Sequence, residues 1–248
     1  MIETARDGAR LTLRLNAPER HNALDFAAMG RLHEALDAAA ADPDLRVIVL
    51  TGTGKSFCSG VALGALDGAD MSDNPLTRLC DRVEGVDLPT IAALNGGVYG
   101  GGAELALACD FRIGVRGMKM QVPPARLGIH YEAPGIERVR ARLGDQMARR
   151  IFLLAERFGD EALLSAGAID RLVAPEALAE EVAEMAGTLA ALAPRAVQGM
   201  KRTIRELSAG TLDTAAAKAR VAAAFASEDH AEGLAAAREK RPPVFRGR

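Results

Sequence analysis

Three short segments rich in apolar residues constrain the fold of this chain more than any other feature. They are VIVLTG at residues 47–52, TIAAL at 90–94 and FRIGV at 111–115. A strand that is buried on both faces has this composition, and such strands belong to parallel sheets covered by helices. Segments with helical spacing separate them. The pattern therefore predicts an α/β core with parallel strand pairing.

Three further patterns extend this prediction toward both ends of the chain. RLTLRL at 10–15 alternates polar and apolar residues, as a half-buried strand does. Asp25 suits the N-cap of a helix with one apolar face, formed by Phe26, Met29, Leu32, Leu36 and Ala39. From Pro175 to about residue 240 the chain is alanine-rich with helical spacing, and Pro175 and Pro194 suit first helical positions. This region is either an oligomerisation lobe or a helical cap on the same core.

Composition excludes several functional classes. The chain has 248 residues, 26% of them charged, and a net charge of -2, which disfavours nucleic acid or an anionic membrane as the main partner. We find no apolar stretch of about 20 residues and no signal-peptide pattern at the start. The three cysteines form no CxxC pair, and no histidines have metal-ligand spacing. We expect a cytoplasmic protein without a disulfide, a metal site or a membrane span.

Two glycine-rich segments fit no nucleotide-binding motif. TGTGKS at 51–56 would need a glycine where Val49 stands, and the glycines at 96–102 match no GxGxxG register. Ser59 also lies outside a GxSxG motif, because position 57 is Phe. We therefore do not expect a nucleotide phosphate site or a serine nucleophile here.

The glycines at 96–102 instead point to a helix N-terminus that approaches a ligand. Five of these seven residues are glycine, and an apolar helical stretch with one acid, Glu104, follows them. Backbone N–H groups here and in GKSFCSGVAL at 54–63 could form an oxyanion hole, with Glu104 as acid or base beside it. The alternative is a tight strand-to-helix turn with an exposed glutamate.

Five segments connect these features to a known family. In order, the chain contains NAPERHNAL (16–24), VIVLTGTGKSFCSGVAL (47–63), LNGGVYGGGAELALACDFRI (94–113), PPARLGI (123–129) and SEDHAEGLAAAREKRPPVFRG (227–247). Together they resemble the crotonase, or enoyl-CoA hydratase/isomerase, superfamily over nearly the whole length. The resemblance implies a spiral of ββα units in residues 1–190 and a helical region for oligomerisation and CoA contacts in 191–248.

By this resemblance the ligand is an acyl-CoA thioester, with CoA as part of the substrate and no separate cofactor. The N–H groups of Val61 and Gly101 would hold the thioester oxygen as an enolate forms. Lys240 would reach the CoA phosphates, although an aromatic residue that often packs near the adenine is replaced by Ala237. Further CoA contacts are expected from Arg20, Ser59, Val61 and Leu63. The family's trimers often pair into hexamers, so we expect a homotrimer or hexamer.

The sequence departs from the family at two positions. The hydratases hold water between two glutamates; the first matches Glu104, but the second position is Pro124. A proline side chain neither donates nor accepts a hydrogen bond. A frequent aspartate beside the first oxyanion residue is Ala62 here.

Residues 130–132 offer three replacements for the missing acid. Tyr131 resembles a tyrosine of the methylmalonyl-CoA decarboxylase branch. We expect His130 and Glu132 to point away from it if the segment is extended. Residues 64–85 are expected to line the acyl pocket.

Three functions stay open at this point. The first is a hydratase or isomerase with Glu104 as sole acid/base. The second is a decarboxylase of a malonyl-type thioester that uses Tyr131. The third is a CoA-ester binder without catalysis.

Overall fold

The computed structural model describes residues 2–67 and 72–248, and it places ten strands and nine α-helices in them. The strands are β1 (Ile2–Asp7), β2 (Arg10–Leu15), β3 (Val47–Gly52), β4 (Ser56–Cys58), β5 (Thr90–Leu94), β6 (Gly97–Tyr99), β7 (Phe111–Val115), β8 (Lys119–Gln121), β9 (Arg157–Gly159) and β10 (Arg171–Val173). The helices are α1 (Phe26–Ala41), α2 (Pro75–Gly85), α3 (Gly101–Ala108), α4 (Ala133–Phe152), α5 (Asp160–Ser165), α6 (Leu178–Ala190), α7 (Pro194–Ser208), α8 (Thr214–Phe225) and α9 (Glu228–Glu239). α4 is interrupted at Gly144, where φ is +81°.

The strands form two sheets. The larger has the order β1-β2-β3-β5-β7-β10, and only its β1–β2 pair is antiparallel. The smaller has the order β4-β6-β8-β9, and only β8–β9 is antiparallel. Along the chain, a long strand, a short strand and a helix recur as β3-β4-α2, β5-β6-α3 and β7-β8-α4. The predicted parallel α/β core is therefore confirmed, and its repeating unit is ββα.

Burial follows the sequence patterns. Every residue of β3 and β5 is buried, as their unbroken apolar character predicts. The Asp25 side chain caps α1 by accepting a hydrogen bond from the Ala28 N–H at 2.8 Å. α1 buries Ala28, Met29, Leu32, Leu36 and Ala39 against the core, whereas Phe26 is only half-buried. Full burial of one such leucine contributes about 1.5–3 kcal/mol.

The C-terminal helices differ in how they pack. α6 buries Leu178, Val182, Met185 and Ala186 in the core, whereas α7 buries only its first residue, Pro194. An ion pair nevertheless holds α7 to the core, because Lys201 Nζ donates to Asp110 Oδ2 at 2.7 Å. The predicted helices after Pro175 are confirmed, with breaks between them. The boundary between residues 190 and 191 falls between α6 and α7, and its functional meaning stays a prediction.

Within residues 2–67 and 72–248, no helix combines the length and the apolar character that a membrane crossing requires.

Candidate active site

Two glycine-containing loops touch at the carboxyl ends of β4 and β6. Gly60 has φ +93° and Gly100 has φ +51°, which are backbone conformations that favour glycine. A methyl group built on Gly60 would lie 2.8 Å from the Gly101 nitrogen and 2.9 Å from the Tyr99 carbonyl oxygen. Both distances are too short for a real side chain. Glycine at position 60 therefore permits the two loops to meet.

The N–H groups of Val61 and Gly101 are available beside this contact. The Gly60 carbonyl accepts from the Leu24 N–H, and the Ala62 N–H donates to the Leu24 carbonyl, both at 2.8 Å. In this parallel bridge, the N–H of Val61 points away from Leu24. Gly101 is the first residue of α3, so its N–H has no acceptor within the helix. Among the hydrogen bonds of the described residues, neither amide has an acceptor.

A cavity of about 350 Å³ opens onto these amides. Its wall is mostly apolar, and its polar groups include Glu104, His130, Tyr131 and Glu132. Ser59, Val61 and Leu63 line it, and Leu63 is 67% exposed at its edge. Their contacts with CoA stay a prediction. From the predicted pocket segment 64–85, the lining includes Leu66, Asn74, Leu76 and Thr77. Residues 68–71 of that segment lie outside the described residues.

Glu104 lies in the first turn of α3 and is only 3% exposed, so the alternative of an exposed turn glutamate is wrong. The Tyr131 hydroxyl donates to its Oε2 at 2.7 Å, and Arg138 Nη1 donates to its Oε1 at 2.5 Å. Burial raises the pKa of Glu104 above its ordinary value, while the Tyr131 hydrogen bond and the Arg138 charge oppose this rise. Burial and the nearby Glu104 charge raise the pKa of Tyr131 well above its usual value. Tyr131 therefore keeps its proton and donates a hydrogen bond to the Glu104 carboxylate.

Arg138 is the site residue that the sequence analysis missed. It projects from α4 and is 6% exposed. Besides Glu104, its guanidinium contacts Asp81 at 2.6 Å and Glu84 at 3.2 Å, both on α2. α4 also carries Arg140 and Arg142, which are more exposed, and no local pattern distinguishes the buried arginine from these two. The only signal was the spacing of Asp81 and Glu84, which places both acids on one helix face.

Residues 124–132 form one side of the cavity. Pro124 is buried in the wall of the cavity. That it replaces the family's second glutamate stays a prediction. His130, Tyr131 and Glu132 all line the cavity, so the expectation that His130 and Glu132 would point away from Tyr131 is wrong. The physical reason is that this segment is not a strand: it joins a 3₁₀ helix at 124–127 to α4. Glu132 accepts hydrogen bonds from Asn74 at 2.8 Å and Thr77 at 2.9 Å.

Two predicted CoA contacts do not line this cavity within one chain. Arg20 belongs to a 3₁₀ helix at 18–20, and its Nη2 donates to Asp25 Oδ2 at 3.0 Å. Lys240 follows α9 as an exposed residue with φ +53°, and Ala237 is exposed one turn earlier. Neither Arg20 nor Lys240 is among the lining residues. Their role toward CoA stays a prediction. In the described part of the chain, no His, Cys, Asp and Glu side chains cluster as metal ligands do.

Comparison with known proteins agrees with this architecture. The family model described as enoyl-CoA hydratase/isomerase matches residues 7–248. A relative from Mycobacterium tuberculosis named "Probable enoyl-CoA hydratase echA6" is 35% identical over 248 residues, covering 100% of both chains. The 2,3-dehydroadipyl-CoA hydratase of Escherichia coli is 31% identical, covering 96% of this chain and 95% of its own.

A solved structure shows the same fold. The crystal structure of an enoyl-CoA hydratase/carnithine racemase from Magnetospirillum magneticum superposes with a TM-score of 0.93 at 31% identity. The match covers 100% of this chain and 96% of the other. The ββα repeat is therefore that of the crotonase fold, and the chain belongs to the enoyl-CoA hydratase/isomerase family of the crotonase superfamily.

Proposed function

We propose that this chain stabilises the enolate of an acyl-CoA thioester with the Val61 and Gly101 amides, and that Glu104 and Tyr131 move the proton. The observation that carries this proposal is the 2.7 Å hydrogen bond between Tyr131 and Glu104 in the wall of the cavity that the two amides enter. Family membership supports activity on an acyl-CoA thioester in general. The geometry supports separate roles: the Val61 and Gly101 amides bind the oxygen, and Glu104 and Tyr131 transfer the proton.

The two amides would bind the thioester oxygen. Gly101 is the first residue of α3, so the positive end of the helix dipole adds to the partial charge of its N–H group. Their position is fixed by backbone geometry before substrate binds, and no side chain has to reorganise. A single donor of this kind typically contributes about 2.7–4 kcal/mol to the transition state.

Glu104 and Tyr131 would transfer one proton to or from the substrate. In an isomerisation, the Glu104 carboxylate takes a proton from the carbon next to the thioester carbonyl, which forms a conjugated enolate, and returns the proton to another carbon of that enolate. In a decarboxylation, the carbon–carbon bond breaks, carbon dioxide leaves, and the enolate carbon takes a proton from the Tyr131–Glu104 pair. Both reactions need one proton-transfer group, and a well-placed group typically accelerates the step about 10²–10⁴-fold.

Hydration requires an activated water molecule in addition to proton transfer. In the family's hydratases, two glutamates hold and activate one water molecule. Here Pro124 occupies the second position, and Arg138 already occupies one oxygen of Glu104. Among the described residues of the cavity wall, Glu132 is the other carboxylate, and Asn74 and Thr77 occupy its oxygens. Two relatives carry the names of hydratases, so hydration is the reaction against which the proposal has to be compared.

One observation favours a function without catalysis. Both oxygens of Glu104 are engaged within the protein, by Tyr131 and by Arg138. A CoA-ester binder could keep this arrangement for stability alone. If so, replacing Glu104 would change stability without changing any reaction.

A turnover screen separates these functions. Wild-type protein, Glu104→Gln and Tyr131→Phe are incubated with crotonyl-, methylmalonyl- and 3-hydroxyacyl-CoA, and the products are identified by mass spectrometry. We expect isomerisation or decarboxylation by wild-type protein, no turnover by Glu104→Gln, and retained CoA binding by that variant. Tyr131→Phe should impair decarboxylation most if that is the reaction. The absence of turnover with all three thioesters would contradict the proposal and favour the binder.

We also propose that the chain forms a homotrimer or a pair of trimers. Among the described residues of α7, Met200, Ile204 and Leu207 lie on one face and are exposed in a single chain. Val197 continues the same spacing toward the N-terminus of the helix. A face of this kind in a lone subunit is typical of an association surface. The cytoplasmic location stays a prediction.

A further inference from the structure

One arginine connects Glu104 to a neighbouring helix. Arg138 of α4 contacts Glu104 of α3 through Nη1, Asp81 of α2 through Nη2 and Glu84 of α2 through Nε. All three donor nitrogens of the guanidinium are therefore directed at carboxylates. Because both side chains of the Arg138–Glu104 pair are 3% exposed, water screens this contact only weakly.

The charges around Glu104 are unbalanced. Arg138 is the only cation that contacts Glu104 among the described residues. Besides Arg138, the titratable groups that act on Glu104 from other elements are Tyr131 and Glu132 before α4 and Cys80 and Asp81 on α2, and none of these four is a cation. Tyr99 and His130 line the same cavity as Glu104. Without Arg138, Glu104 would be a buried carboxylate beside further carboxylates, with Tyr131 as its remaining donor.

We infer that Arg138 is a positioning residue that keeps Glu104 ionised and fixes its carboxylate so that Oε2 faces Tyr131. Arg138 donates to two different carboxylates of α2 and, through a third nitrogen, to Glu104. This arrangement requires the planar guanidinium group, whose donors have fixed directions. Arg138 does not line the cavity, so it acts through Glu104 and not on the substrate. Only its effect on turnover rests on the proposed function. Its effect on the ionisation of Glu104 does not.

The direction of the effect follows from the contacts. The Arg138 charge lowers the pKa of Glu104, against the larger effect of burial. Loss of this charge should therefore move the ionisation of Glu104 to higher pH. Proton abstraction needs the ionised carboxylate, so the activity at neutral pH should fall and recover as the pH rises.

The chain offers a matched control. Arg142 lies one turn further along α4 and contacts Glu84 Oε1 at 3.3 Å, but it has no contact with Glu104. Arg142→Gln removes an arginine of the same helix and a partner of the same α2 glutamate. Arg138→Lys keeps the charge and loses the fork. Comparison with Arg138→Gln therefore separates the loss of charge from the loss of geometry.

The experiment measures the ionisation of the Glu104 carboxyl group directly. Protein labelled with ¹³C at the glutamate carboxyl carbon is titrated by NMR, and Glu104→Gln assigns the resonance. We expect Glu104 to be ionised at pH 7 in the wild type, to titrate at higher pH in Arg138→Gln, and to be unchanged in Arg142→Gln. Arg138→Lys should return the titration toward the wild-type position. On any thioester that is turned over, Arg138→Gln should lose about 10²-fold in kcat near neutral pH, with KM little changed.

Each outcome has one meaning. If Glu104 of the wild type is protonated at pH 7, the inference is overturned, whether or not any variant folds. An unchanged Glu104 titration in folded Arg138→Gln also overturns it. If no thioester is turned over while the titration shifts as expected, the proposed function fails and the role of Arg138 stands.

Discussion

Substitution of Gly135 tests the packing that holds Glu104 and Tyr131 together. Gly135 is buried near the start of α4, about one turn before Arg138. A methyl group at this position would lie 2.4 Å from Tyr131 Cε1 and 2.8 Å from Glu104 Oε2. Optimal contacts between carbon atoms are about 3.5–4.0 Å. In Gly135→Ala, the tyrosine ring and the carboxylate must therefore both move, although the helix itself accepts alanine.

The expected magnitudes can be worked out from these contacts. Alanine improves helix propensity by about 0.8–1.0 kcal/mol, whereas overpacking of a buried site costs about 1–3 kcal/mol. The net loss of stability is then at most about 2 kcal/mol, which lowers Tm by several degrees in a chain of this size. A hydrogen bond to a charged group contributes about 1.5–3 kcal/mol, so loss of the Tyr131–Glu104 bond should lower turnover about 10- to 100-fold.

Thermal denaturation and steady-state kinetics measure the two effects. Gly187→Ala in α6 is the matched control, because a methyl group there would meet no atom within 4 Å. We expect this control to be slightly more stable than the wild type and equally active. Turnover at the wild-type rate in Gly135→Ala would refute the reasoning, because it would mean that the close packing of Gly135, Tyr131 and Glu104 is not needed.

Four further predictions concern the site, CoA binding and the assembly. Tyr131→Phe removes a hydrogen bond that lowers the pKa of Glu104, so the acid limb of the pH–rate profile should shift to higher pH, as measured by kcat/KM. Pro124→Glu restores a carboxyl at the second position and should raise crotonyl-CoA hydration above the wild-type level; no gain in a folded variant would count against the role given to Pro124. Lys240→Gln should weaken CoA binding in calorimetry at low salt, with exposed Lys218→Gln as control; equal affinities would remove Lys240 from the CoA contacts. Light scattering should give three or six subunits, and Ile204→Glu should lower this number; a wild-type monomer would contradict the proposed assembly.

Much of the fold could be predicted from the sequence because its signals are local. The runs of β3 and β5 are apolar on both faces, and the Asp25 cap is a contact within one helix turn. The strands of the smaller sheet were not identified, since each has three residues and three residues show no periodicity. Their existence depends on the pairing of distant segments.

The candidate site was predictable in part for the same reason. Glycines before a helix indicate a free N-terminus, and an acid in its first turn indicates where a carboxylate stands. The burial of Glu104 and its contact with Arg138 depend on how α3, α2 and α4 pack, which no local pattern contains. The direction of residues 130–132 depends on the irregular backbone between a 3₁₀ helix and α4.

The central claim is that one carboxylate, paired with Tyr131, serves enolate chemistry and not the activation of water. The most direct measurement is mass spectrometry of crotonyl-CoA after incubation with wild-type protein in D₂O. Reversible enolate formation replaces single hydrogens of the acyl chain by deuterium, whereas hydration increases the mass by one D₂O molecule. We predict that deuterium exchange is much faster than hydration and that Glu104→Gln abolishes it. Rapid hydration without exchange, or exchange that persists in Glu104→Gln, would contradict this account of the site.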